Sequence, residues 1–165
     1  MTRKIKLRLT QYSNFALRTL QFLALRAPEI ASVDDVAQAH KISKAHLMKV
    51  AYELGQRGYV ETIRGRNGGM RLSRRAEEIT VGEIIRWTEA PLELVECFNP
   101  ETNTCPLQGH CHLSRGIQRA LRAFLSVLDD LTIADIIVNR GELMGLFEAN
   151  RDVLAPAGLQ ISGEQ

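Results

Sequence analysis

Apolar positions recur along this chain in two registers, and the switches between them divide it. From Thr10 to Arg26, Tyr12, Phe15, Ala16, Thr19, Leu20, Phe22 and Leu23 return at three- and four-residue steps. That spacing lines one face of an α-helix. Thr10 or Ser13 is placed to cap it, and Pro28 ends it because proline cannot continue the helical hydrogen-bond ladder. A second helical stretch opens at Ser32, with Asp35 three residues on as a capping box with a shortened acid, and carries Val33, Val36 and Ala37. His40-Lys41-Ile42 reads as a turn. Ser43 then caps a third helix with Leu47, Val50, Ala51 and Leu54 as its buried stripe, closed by Gly58. Two short β-rich runs come next, Tyr59–Ile63 and Met70–Leu72, around Arg64-Gly65-Arg66-Asn67-Gly68-Gly69. An Asn-Gly pair between such runs marks a hairpin, since both residues tolerate positive φ.

Helical spacing returns at Thr80–Glu89, with Val81, Ile84, Ile85 and Trp87, and Pro91 stops it. The last strong pattern runs from His112 to Asp129: Leu113, Ile117, Ala120, Leu121, Phe124, Leu125 and Leu128 step by threes and fours toward Leu131. A stripe that long needs cover. Its own first helix and the segment 132–147 are one source, and a second copy of the chain in a symmetric homodimer is the other. The fold expected is mostly α with a small β-hairpin wing, a winged helix-turn-helix plus a long dimerisation helix. In this reading residues 1–90 form the winged helix-turn-helix, 91–111 a cysteine loop, 112–150 the dimerisation helix and further helices, and 151–165 a flexible tail.

Charge sharpens the division. The net charge is only +2, yet residues 1–75 hold 15 Lys/Arg against 5 Asp/Glu, and residues 76–165 hold 6 against 14. A basic half of this kind is the footprint of a polyanion binder, because neutralising phosphates releases condensed counterions. A solvated basic face has the same composition, so the motifs must decide. In a helix-turn-helix, the start of the second helix reaches base edges in the major groove. Here that start presents Ser43, Lys44, His46 and Lys49. A hairpin tip carrying Arg64, Arg66, Asn67 and Gly68 is suited to bring guanidinium groups into a minor groove. Helix and wing together point to double-stranded DNA. No apolar run reaches the ~18 residues of a membrane span, and the basic start Met1-Thr2-Arg3-Lys4-Ile5-Lys6 leads into no long apolar segment. A cytoplasmic protein with no membrane partner is expected. No nucleophile–base pairing, phosphate-cradling glycine loop or paired carboxylates suggests an enzyme.

All three cysteines fall in one stretch, CFNPETNTCPLQGHC, from Cys97 through Cys105 to Cys111. An odd cluster of this kind points to metal or redox chemistry rather than a disulfide scaffold. The spacing C-x7-C-x5-C is not the paired C-x2-C of structural zinc sites. Three thiolates are one short of the four ligands an iron–sulfur cluster takes, so another residue, another subunit or an outside molecule must complete it. His110, His112, Glu96 and Glu101 are the local candidates. Free thiols, or one disulfide and a spare, are the alternative.

With RLTQYSNFALR at 8–18, SKAHLMKV at 43–50, GYVETIRGRNGGMRL at 58–72 and the cysteine loop ending CPLQGHC, the chain resembles the iron–sulfur winged-helix repressors of the NsrR, IscR, RirA and CymR group. The likeness runs from Leu9 to about Phe147. The cysteine spacing and the LVEC before it resemble the nitric-oxide-sensing NsrR branch best, with the iron-responsive RirA branch next. The IscR branch has a histidine three residues after the last cysteine, where this chain has Ser114. The resemblance implies a homodimer on a palindromic operator. It also implies one iron–sulfur cluster per subunit, of 4Fe–4S or 2Fe–2S type, held by Cys97, Cys105 and Cys111. Some relatives add an acidic residue from the partner's first helix; the matching position is Asn14, a neutral amide and a weaker iron donor. Nitric oxide is then the expected effector, with iron supply or thiol oxidation as the alternative signals.

Overall fold

The computed structural model describes residues 8–66 and 68–152; the basic start, Asn67 and the end of the expected tail lie outside the described residues. Among those described, six α-helices and one hairpin are arranged in order: α1 Gln11–Arg26, α2 Val33–His40, α3 Lys44–Gln56, β1 Val60–Ile63, β2 Gly69–Leu72, α4 Val81–Thr88, α5 His112–Asp129 and α6 Arg140–Asp152. The winged helix-turn-helix and long helix expected from the patterning are present.

α1 is the axis of the core. Its Ala16, Leu20, Leu23, Ala24 and Leu25 are buried, and it meets α2, α3, α4 and β2. Leu47, Val50, Ala51 and Leu54 of α3 close on it, together with Val36, Ile79, Ile84 and Ile133. Each fully buried leucine or isoleucine contributes about 2 kcal/mol over an exposed one. Thr10, not Ser13, caps α1, accepting the Ser13 N–H. Ser13 is itself buried; its hydroxyl and that of Thr10 meet the Glu89 carboxylate, and the Ser13 hydroxyl also meets that of Thr88, tying the start of α1 to the end of α4.

Helix ends obey local chemistry. Ser32 and Asp35 form the reciprocal capping box. Past α3, Tyr59 N–H bonds Leu54 O and Gly58 N–H bonds Gly55 O, with Gly58 at φ 73°, the paired closure that favours glycine. The turn after α2 makes the same kind of closure with Lys41 at φ 55°, a left-handed position held by a residue with a Cβ.

The hairpin pairs Val60 with Leu72 through Ile63 with Gly69, and Ala31 adds a bridge to Met70 on its other edge. Its tip departs from the expected reason for Gly68. Positive φ is at Gly65, 123°, not Gly68. Gly68 is needed because a Cβ there would stand 2.4 Å from Ile63 O.

α5 also departs from expectation. It packs on α4 rather than on α1: Gly82 comes so near that a Cβ would lie 2.8 Å from Asp129 N, and Arg86 forks onto the Asp129 carboxylate. Val81 N–H to Leu131 O and Ile133 N–H to Ile79 O seal the joint. None of α5's 18 residues is buried; Leu113 is 71% and Val127 69% exposed.

α6 docks on α2 through Phe147, whose ring meets those of His40 and Phe22 at 5.0 and 5.6 Å. Burial, and then the nearby Arg18, push His40 down to about 4. Below pH 6.5 the unfolded chain therefore takes up a proton that the folded chain refuses until about pH 4. Stability should fall as pH drops through that window, by roughly 2 kcal/mol after allowing for partial solvent screening. Urea melts at pH 7 and pH 4.5 check this, and His40→Phe should flatten the difference.

Candidate functional site

The basic surface is built on α3 and the hairpin. Ser43 is the N-cap of α3, accepting the His46 N–H at 3.4 Å, and its hydroxyl also meets His46 Nδ1 at 3.2 Å. The His46 ring lies 5.9 Å from Phe15 of α1, so it is steadied from behind while staying exposed. Lys44 and Lys49 are exposed as well. Lys44 bonds Asp34 of α2 at 2.7 Å, a pairing across ten positions that no local pattern announces. An exposed pair is worth under ~1 kcal/mol, so the ammonium is free to exchange Asp34 for a phosphate. Met48 and Tyr52, 57% and 64% exposed on α3, were missed by the sequence reading; large apolar side chains on an otherwise polar face were the available sign.

On the hairpin, Glu61 and Arg71 stand opposite in register and pair at 3.0 Å. Arg64 and Arg66 are exposed, and no acidic partner faces either among the described residues. Gly68 is half-buried at the tip, and Asn67 lies outside the described residues.

A ladder of rings and guanidinium groups joins this surface to α4. Arg57 sits 4.6 Å over Trp87, Tyr59 stacks on that ring at 6.4 Å, and Arg74 covers Tyr59 at 4.7 Å. Tyr12 meets Trp87 edge-on at 5.6 Å, and Arg74 bonds Glu83 at 2.9 Å. Cation–π contacts are each worth about 1 kcal/mol where partly desolvated. The end of α3 and the base of the hairpin are thereby clamped to the helix that leads into the cysteine loop.

That loop is braced by its own side chains. Glu96 Oε1 accepts both the N–H and hydroxyl of Thr104 at 2.7 Å, which holds its carboxyl below the usual carboxylate range. Asn103 Oδ1 accepts the Cys105 N–H at 3.0 Å, and Gly109 turns the chain at φ 81°. Glu96, considered as an iron ligand, is engaged as a brace; Glu101, His110 and His112 are exposed.

The three cysteines are half-buried and none is in a disulfide. Cys97 donates its S–H to Ser114 Oγ at 3.3 Å, while Cys111 caps α5 by accepting the Ser114 N–H at 3.4 Å. Two of the sulfurs thus meet at one serine. Cys105 is not gathered with them: among the described residues, no three His, Cys, Asp or Glu stand close enough to hold a metal ion. In kind, three unlinked thiols are the soft donors an iron–sulfur group takes. In position, Cys97 and Cys111 each contact Ser114, but the three sulfurs are not gathered, so holding one metal centre would require the loop between Cys97 and Cys111 to shift. Asn14 is exposed on α1, in a shallow depression with Arg8, Gln11 and Arg18. No described helix is long and apolar enough to cross a membrane.

Comparison with known proteins matches residues 9–139 to the family described as Rrf2, iron-dependent transcriptional regulator. The HTH-type transcriptional regulator NsrR of Bacillus licheniformis is 50% identical over 141 residues, covering 85% of this chain and 99% of that protein. The NsrR of Bacillus subtilis is 45% identical over 143 residues, 86% and 98% of the two chains. Among solved structures, CymR, the global cysteine regulator of B. subtilis, superposes with TM-score 0.66 at 27% identity, over 79% of this chain and 95% of that one. IscR of T. potens shares the fold at TM-score 0.64 and 22% identity, over 81% and 88%. The NsrR relatives and CymR are named as regulators, not enzymes.

Proposed function

The chain belongs to the Rrf2 family of iron-dependent transcriptional regulators, and from that premise we propose that it is a homodimeric repressor whose hold on a palindromic operator is set by nitric oxide through an iron–sulfur cluster. The observation that carries this reading is the junction at Ser114, where two of the three free thiols meet the amino end of a helix whose apolar face is uncovered. Sulfur ligands and dimer contact would share one element.

Cys97, Cys105 and Cys111 would hold the cluster, of 4Fe–4S type, one per subunit, with Asn14 of the partner subunit as the candidate for the fourth ligand. When bound, the cluster supplies iron with an incomplete thiolate set, open to nitric oxide. The remaining work is done by the chain. Drawing Cys105 toward Cys97 and Cys111 would reshape the braced loop, and α4 leads directly into that loop. α4 is clamped to α3 and the hairpin by the Arg57–Trp87–Tyr59–Arg74 ladder, and to α1 by Glu89. A change at the cysteines therefore reaches Ser43, Lys44, His46 and Lys49 at the major groove, and Arg64, Arg66, Asn67 and Gly68 at the minor groove. Operator affinity differs between the two loop states only as far as those contacts differ.

An iron-responsive repressor is the second reading, favoured by the family's description. Anaerobic operator titrations separate the two. Stoichiometric nitric oxide should weaken binding by on the order of tenfold or more. Equal binding before and after nitric oxide, with release by an iron chelator, would transfer the function to iron sensing.

A further inference from the structure

Ser114 is three residues into α5, with its N–H on Cys111 and its hydroxyl on a cysteine 17 residues earlier in the chain. In an ordinary capping box, the third residue reaches back to the cap backbone. Here its hydroxyl meets Cys97 Sγ instead, so one residue touches two sulfurs that the chain holds well apart. Cys105 has no such tether: its backbone N–H is held by Asn103, and among the described residues its sulfur has no hydrogen-bond partner.

We infer that Ser114 is a positioning residue that assembles Cys97 and Cys111 into a ready-made dithiol, leaving Cys105 to close on the metal last. The metal part of this rests on the cluster reading above; the pairing does not. Were both sulfurs bound as thiolates, the Ser114 hydroxyl could reverse its hydrogen bond and donate to Cys97, while its N–H already faces Cys111. Hydrogen bonds to coordinating sulfur orient the ligand and tune the centre. A purely structural serine would contribute helix stability alone, and alanine is well tolerated inside a helix.

The pairing is testable without iron. Phenylarsine oxide bridges two neighbouring thiols, its arsenic forming two As–S bonds as both S–H protons leave with the oxide oxygen as water. Reduced wild type and Cys105→Ser should each bind one equivalent, whereas Cys97→Ser and Cys111→Ser should not. Ser114→Ala should bind about tenfold more weakly, and Ser114→Thr should restore binding, with apo melting temperatures unchanged. In anaerobically reconstituted protein, Ser114→Ala should release iron to a ferrous chelator about tenfold faster than wild type. Arsenical capture of Cys105 as readily as of the Cys97–Cys111 pair would overturn the inference. So would wild-type arsenical binding and iron release in Ser114→Ala. If wild type takes up no cluster, the iron–sulfur reading fails while the arsenical result still decides the role of Ser114.

Discussion

Arg64→Ala with Arg66→Ala should lower operator affinity on the order of 100-fold at moderate salt and reduce the salt slope by about 2. Each lost phosphate contact removes about 0.9 from the dependence of log affinity on log salt. Two such losses at ~0.1 M salt amount to about 60-fold, before any loss of minor-groove contact. Both side chains are exposed and lack acidic partners among the described residues, so their charge is available to phosphates. Arg71 is the internal control: it is already paired with Glu61 across the hairpin, and Arg71→Ala should cost far less. Fluorescence anisotropy across a salt series measures both quantities. An unchanged slope in the double variant would remove the hairpin from the DNA surface.

Cys111→Ser and Cys111→Ala should both abolish the visible absorbance of the anaerobically reconstituted protein, yet differ in the stability of the apo form. On the reading proposed above, Cys111 has two separable duties. As the proposed cluster ligand it would supply a thiolate, which neither replacement provides. As the cap of α5 it accepts the Ser114 N–H, a task serine performs well and alanine cannot perform. Losing the cap costs about 1 kcal/mol, so the alanine variant should melt about 2–4 °C lower, while serine melts at or above wild type. A Cys111→Ser protein that keeps full absorbance would exclude Cys111 as a ligand.

How much was legible depended on range in sequence. α5 runs from His112 to Asp129 as the spacing predicts, and α1, α3 and α4 end at the caps and breakers that the residues announce. Caps, stripes and hairpin strands are set by neighbours within about four residues, and those are visible in a string. The left-handed Lys41 was not, because the position usually signalled by glycine is held here by a residue that gives no sign of it. Gly68 was recognised for the wrong property: a turn's φ pattern is local, but the nearness of Ile63 O depends on the path of the strand before it.

The cysteine loop shows the same boundary at the candidate site. Spacing alone brought three thiols into one short stretch and left their partners open. Tertiary structure determined that Cys97 meets Cys111 at Ser114, that Glu96 braces Thr104, and that α5 rests on α4 through Gly82 and Asp129. Helix type and basic surface come from residue preferences and charge, which act over a turn or two and survive in the linear order. The meeting of Cys97 with Ser114 depends on how a loop closes, and loop closure is settled by the packing of α4 and α5 that anchor its two ends.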